Sequence, residues 1–217
     1  MLQRTSERRR PNRSQGTPAS NLRPLPDYLQ PGLDLVFVGF NPGERSARLG
    51  HYYAGIGNLF WQGLFRSGLV PAPLGFSDDW RLPEFGIGLT DLAKQPSRSA
   101  SDLPASEFRR GRRALLRKLC RVQPQVIAFN GKGVYELFSG HPCRLGAQTE
   151  RPCGAAVFVL PSTSARNAAV SREEKLKWFC RLQRFLRSSR SGKEVCPPLE
   201  SRAQREKPAR VTAGADG

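Results

Sequence analysis

The sequence predicts an α/β domain layered around a central, mainly parallel sheet, and three observations carry that prediction. Short runs dense in Val, Ile, Leu and Phe have the length and composition of buried strands. Stretches of helical periodicity alternate with them, and each run empties into a polar loop bearing Gly or Pro. The first strand candidate is residues 33–39, LDLVFVG, followed by the turn Phe40-Asn41-Pro42-Gly43. A helix is expected at residues 58–67, and a second at about 106–122, where Phe108, Leu115, Leu116 and Leu119 are core candidates among solvated arginines. The second strand candidate, residues 126–130 (VIAFN), leads into Gly131-Lys132-Gly133 and a short helix at 133–138. The third, residues 156–160 (AVFVL), leads into PSTSARN, and a longer helix is expected at 171–186. Trp61 and Trp178, each within a helical pattern, read as core residues. No internal repeat is visible.

At 217 residues with 38% hydrophobic content, the chain suits one domain with tails. No run approaches the roughly 18 apolar residues of a membrane span, and MLQRTSERRR lacks the apolar stretch of a secretory signal, so the expectation is a soluble, intracellular protein with no membrane partner. Five cysteines without a C-x-x-C pair argue against a disulfide framework, a zinc finger or an iron–sulfur cluster, and predict reduced, structural thiols.

The formal charge of +17 favours polyanionic partners, nucleic acid first. Residues 1–26 hold +5 and residues 187–217 hold +3, leaving +9 for residues 27–186. Both ends are rich in Ser, Arg, Pro and Gly, so they read as disordered basic arms around one folded domain at 27–186, the domain that the resemblance below makes catalytic. Such arms suit electrostatic scanning of DNA or simple solvation, and the N-terminal one is also compatible with a mitochondrial presequence lacking an apolar face.

In open α/β sheets ligands bind beyond the carboxyl ends of the strands, so the three loops should converge on one cleft. GFNPG by itself is a turn motif. The following GHYYAGIGNLFWQ, residues 50–62, sets His51, Tyr52 and Tyr53 among glycines, which suits a base stacked in a pocket or rings covering the core. A P-loop is excluded because neither GFNPGERS nor NGKGVY has the G-x-x-x-x-G-K-[ST] spacing.

The segment GFNPGERSARLGHYYAGIGNLFWQGLFRSGL resembles the first signature of the mismatch-specific uracil/thymine DNA glycosylases. The resemblance continues in order through GLTDLAKQPSRSASDL, SEFRRGRRALLRKLCRVQPQVIAFNGKGVYELFS and VFVLPSTSARNA, covering about residues 33–186. It implies a three-layer α/β/α uracil-DNA glycosylase fold. The implied activity is hydrolysis of the N-glycosidic bond of uracil, or thymine, mispaired with guanine in duplex DNA, after the base is flipped out. It further implies a monomer without metal or organic cofactor, whose abasic product passes to abasic-site repair enzymes, in a nucleoid or a nucleus. A non-catalytic mismatch-binding or single-strand-binding module of the same fold is the competing expectation.

Residue by residue, the resemblance assigns Asn41 to positioning the attacking water. It assigns the Phe40 backbone N–H to a base oxygen, Tyr53 to stacking on the flipped pyrimidine, and Ser46 to the border of its 5-position. Asp91 stands where the vertebrate branch has an Asn that contacts the base, and a carboxylate there could accept from pyrimidine N3–H or oppose an anionic leaving base. Ser97 is a pocket residue or a plain loop serine. Ser162 and Ser164 match phosphate-binding hydroxyls or serve as turn caps, Arg166 matches the finger that fills the vacated stack, and Lys132 is a phosphate contact or solvated. Asn58 caps the following helix or reaches the pocket, and the cap is the favoured reading.

Overall fold

The computed structural model describes residues 22–99 and 102–190. Five strands form one sheet: β1 (Leu35–Gly39), β2 (Ile87–Asp91), β3 (Val126–Asn130), β4 (Gly146–Ala147) and β5 (Ala156–Leu160), in the order β2-β1-β3-β5-β4. The first three and β5 run parallel, whereas β4 pairs antiparallel to β5. Because side chains alternate across a strand, Leu35 and Phe37 enter one core and Val36 and Val38 the other. The first core is closed by α2 (Phe60–Arg66) and α5 (Arg172–Arg190), the second by α3 (Ala105–Val122) and α4 (Lys132–Ser139). The architecture is therefore α/β/α, as expected, with α1 (Glu44–Leu49) as a short addition directly after β1.

The strands at 126–130 and 156–160 fall where the apolar runs put them, and β1 begins two residues later than expected. The sequence reading lacks β2 altogether. Its Gly88 must stay bare, since a Cβ there would lie 2.8 Å from the Tyr28 carbonyl oxygen, and its Thr90 and Asp91 are polar, so no apolar run marks it. Trp61 is buried and Trp178 packs against the first core under the Arg181 guanidinium, 4.2 Å from the ring. Leu116, a core candidate, is instead 40% exposed, because the inward line of α3 is Phe108, Leu115, Leu119 and Val122.

Two further expectations need correction. Cys120 at the end of α3 and Cys153, just ahead of β5, form a disulfide with a Cα–Cα distance of 5.0 Å, while Cys143 and Cys180 are free thiols. Packing of α3 on the turn at Pro152–Gly154 brings together residues that no local spacing pairs. The final helix also runs on to Arg190, held there by the burial of Leu186 and by an ion pair between Arg190 and Asp34, and Leu25 ahead of the expected boundary is buried. The remainder of the expected arms, with Cys196, lies outside the described residues. Among the described residues no helix is long and apolar enough to cross a membrane.

Candidate active site

Beyond the carboxyl ends of the parallel strands lies a cavity of about 410 Å³. Phe40, Asn41, Ser46, Tyr53, Asn58, Asp91, Ser97, Ser162, Ser164 and Arg166 all line it. Lys132 does not: it sits in the first turn of α4, half exposed, 3.8 Å from Glu136. Four loops build the cleft rather than three, the fourth following β2.

The loops after β1 and β2 are zipped together beyond the sheet. Leu92 and Ala93 donate backbone bonds to Gly39 and Phe40, and Ser97 N–H donates to Pro42 O at 3.1 Å. Asn41 is locked into this seam by its side-chain nitrogen, which donates to Pro42 O (3.1 Å), Gln95 O (3.2 Å) and Ser97 Oγ (2.9 Å). With the nitrogen so committed, the amide presents its carbonyl oxygen as an acceptor. Ser97 thus touches Asn41 directly and donates in turn to Ser99 O at 2.6 Å.

On the opposite wall the aromatic loop is tied down by groups that no motif revealed. Fully buried Asp79 takes the His51 ring at 3.0 Å, the Tyr52 N–H at 2.8 Å and the Tyr28 hydroxyl at 3.2 Å. Ser46 Oγ accepts from Ala54 N–H at 3.1 Å, joining α1 to the same loop. Tyr52 is core, its hydroxyl donating to Pro26 O at 2.9 Å. Tyr53 takes a left-handed φ of 53°, rare for a bulky residue, and lies over Phe60 with ring centroids 3.9 Å apart. Asn58 stands one residue ahead of the N-cap position of α2, Leu59, where its Oδ1 accepts from Phe60 N–H at 3.0 Å while the residue also lines the cavity, so both alternatives hold in part.

The floor is the pairing of Gly39 with Asp91 across β1 and β2. A Cβ on Gly39 would stand 2.2 Å from Asp91 Oδ1 and 3.3 Å from the Tyr53 hydroxyl, so glycine lets both groups reach the cavity. Among the described residues, Asp91 Oδ2 and the Tyr53 hydroxyl are buried with no hydrogen-bond partner. Burial is the main cause that lifts the Asp91 carboxyl to about 7; the positive charges of Lys94 and Lys118 oppose the shift and the Asp27 carboxylate adds to it. Burial, then the nearby Asp91 carboxyl, pushes the Tyr53 phenol upward, keeping it protonated at neutral pH.

The PSTSARN loop is pinned from both sides. Asn130, at the end of β3, donates to Thr163 Oγ1 at 2.9 Å and accepts from Thr163 N–H at 3.0 Å. Buried Lys175 donates to the carbonyls of Ser164 (3.0 Å) and Asn167 (2.6 Å). Ser162 and Ser164 accept from backbone N–H groups two residues on, at 3.4 and 3.3 Å, the local turn geometry of such serines. Exposed Arg166 reaches across the mouth to the Arg98 carbonyl oxygen.

Residues 26–187 match the model of the uracil DNA glycosylase superfamily. Over 165 residues the chain is 37% identical to a protein of Schizosaccharomyces pombe, the G/U mismatch-specific uracil DNA glycosylase, covering 71% of this chain and 51% of that one. The chain thus spans about half the length of the curated relative it matches. The fold also resembles a solution NMR structure from Methanosarcina acetivorans, provisionally assigned as a uracil DNA glycosylase, with a TM-score of 0.55 at 22% identity, covering 76% of this chain and 98% of that one.

Proposed function

Because the chain belongs to the uracil DNA glycosylase superfamily, we propose that it removes uracil mispaired with guanine from duplex DNA, hydrolysing the N-glycosidic bond and leaving an abasic site. The observation that carries this reading is the Asn41 side chain, clamped through its nitrogen so that its carbonyl oxygen can orient a water toward the sugar. An amide is too weak a base to take a proton early. The reaction therefore leans on departure of the pyrimidine with the electron pair of the broken bond, followed by capture of the cationic sugar by the oriented water. Tyr53, braced by Phe60, supplies the stacking face, and the Phe40 N–H a donor for a base oxygen. Ser162 and Ser164 are assigned to phosphate, and Arg166 to the vacated stack. Residues 27–186 form the catalytic unit, acting as a monomer. The chemically labile abasic product suits a following enzyme that cuts the backbone at such sites.

Asp91 fits this scheme through its charge state. Protonated, it donates to a pyrimidine oxygen and places no negative charge against the departing anion; ionised, it does. The proton is therefore an advantage in the leaving step, and the single-turnover rate is expected to fall across a transition centred near pH 7. The Asp91→Asn variant should lack that transition. Stability follows the same sign. The folded carboxyl binds its proton more tightly than the unfolded one, so its contribution is complete below the ordinary carboxylate range and is lost as pH rises through about 7. Thermal melts between about pH 5 and about pH 8 should show wild type declining relative to Asp91→Asn.

The direct test compares single-turnover rates on duplexes with one G·U, G·T, A·U or G·C pair, and on single-stranded uracil, with alkali revealing abasic sites. Excision at G·U faster than at A·U is the expected outcome, and the G·T lane reports whether the wall at Ser46 admits a methyl. Tight binding with no strand breaks in any lane overturns the enzymatic reading in favour of a mismatch-binding module.

A further inference from the structure

Helix α3 carries seven basic residues and one carboxylate, Glu107. Three of the seven are engaged. Arg110 pairs with Glu107, Arg112 donates to Ser139 O at 3.3 Å, and Lys118 meets Asp27 at 2.5 Å. The other four, Arg109, Arg113, Arg117 and Arg121, are exposed and have no ion pair among the described residues. They stand at successive i, i+4 positions, within an arc of about 120° over a rise of about 18 Å. Like charges at that spacing destabilise a helix. Helix α5, similarly basic, offsets its charges with carboxylates through Lys177–Glu173, Arg181–Glu174 and Arg190–Asp34. The line on α3 has no such relief.

Its direction separates it from the cleft. The head of α3 touches the rim, where Phe108 meets Phe40 edge-on with centroids 5.1 Å apart. Its tail is tied by the Cys120–Cys153 disulfide to the turn that precedes β5, at the opposite end of the strands. A duplex lying across the cleft mouth cannot also follow the arginines down this flank.

We infer that Arg109, Arg113, Arg117 and Arg121 form a second nucleic-acid site, which takes the phosphate backbone of a DNA segment other than the one in the cleft. All four are arginines, whose planar forks match phosphate oxygens, and one step of the line, about 6 Å, follows the spacing of phosphates along a strand. A protein partner would need an apolar centre, and the only large exposed apolar side chain on this helix is Leu116. One molecule could then hold two DNA segments and pass between them without full release.

The test uses the full chain and undamaged duplexes, so it reads the second site whether or not the protein excises uracil. Protein bound to a bead-tethered duplex is offered a fluorescent second duplex across a salt series. Wild type should capture it. The quadruple variant Arg109→Gln, Arg113→Gln, Arg117→Gln, Arg121→Gln should lose capture at least about tenfold, with the log–log salt slope of that step reduced by between about 3 and 4. A charge-matched control, Arg66→Gln, Arg81→Gln, Lys177→Gln, Arg184→Gln, should capture as wild type does. Both variants should keep wild-type binding of the first duplex. If the quadruple variant melts lower than wild type, the pair Arg113→Gln and Arg117→Gln replaces it, with about half the change in slope. Equal capture by ladder and control variants overturns the proposal. So does equal loss of first-duplex binding, which would make the ladder part of the cleft's own track. Preferential capture of a polyglutamate surface by the same four residues would assign the site to an acidic protein and overturn it as well.

Discussion

Replacing Asn41 with alanine is expected to lower single-turnover excision of uracil opposite guanine by about a hundredfold or more, while duplex binding stays close to wild type. The asymmetry follows from where the amide sits. Its nitrogen is spent on Pro42, Gln95 and Ser97, so the side chain is held before substrate arrives, and in the proposed reaction its oxygen orients a water whose interaction strengthens as positive charge develops on the sugar in the transition state. Affinity comes from phosphate contacts that the substitution does not touch. Single-turnover rates and binding isotherms on the same G·U duplex separate the two quantities. An unchanged rate would remove Asn41 from the chemistry.

The second large effect is expected far from any base. At Gly111 in α3, a Cβ would lie 2.0 Å from the backbone oxygen of Leu92, a contact that no rotamer change relieves. Alanine favours a helix over glycine by roughly 0.5–1 kcal/mol. Overpacking against backbone costs about 1–3 kcal/mol, so Gly111→Ala is expected to melt several degrees lower, at about 2–4 °C per kcal/mol. Activity should suffer more than stability. Leu92 begins the loop whose Gln95 and Ser97 hold Asn41, and a displacement of about 1 Å at such a group costs on the order of a hundredfold. Gly133→Ala, whose Cβ would meet nothing closer than 3.9 Å among the described residues, is the matched helical control and should react like wild type and melt slightly higher, by the helix preference alone.

How much of this was legible in the sequence depended on what each residue had to do locally. β1, β3 and β5 are buried along their full length, so their composition alone declares them. β2 is buried too, but its Thr90 is satisfied by Asp27 at 2.6 Å and its Gly88 lies close under the Tyr28 backbone, contacts that exist only after folding. The short α1 ends on Gly50 in a left-handed conformation and is too short for a periodic stripe. Among the site residues, Asn41, Tyr53 and the PSTSARN hydroxyls stand in loops that announce themselves. Asp79, Asn130, Thr163 and Lys175, which hold those loops in place, look in sequence like ordinary polar residues. The arginines of α3 read as a solvated face, and only the pairing of their neighbours in space sets four of them apart.

Asp27, in the segment leading to β1, binds Lys94, Lys118 and Thr90 at once, and although burial alone would raise its pKa, those partners hold it below the usual carboxylate range. It works as an electrical shield for the cavity floor. Its carboxylate pairs with both ammonium groups and, by its own negative charge, partly offsets at Asp91 the pull that they exert toward ionisation. Without that counter-charge, the two cations would favour the ionised form of Asp91 more strongly, against the burial that raises it. In the proposed reaction, one side chain upstream of the sheet therefore helps to set the pH range of the cleft without itself lining it.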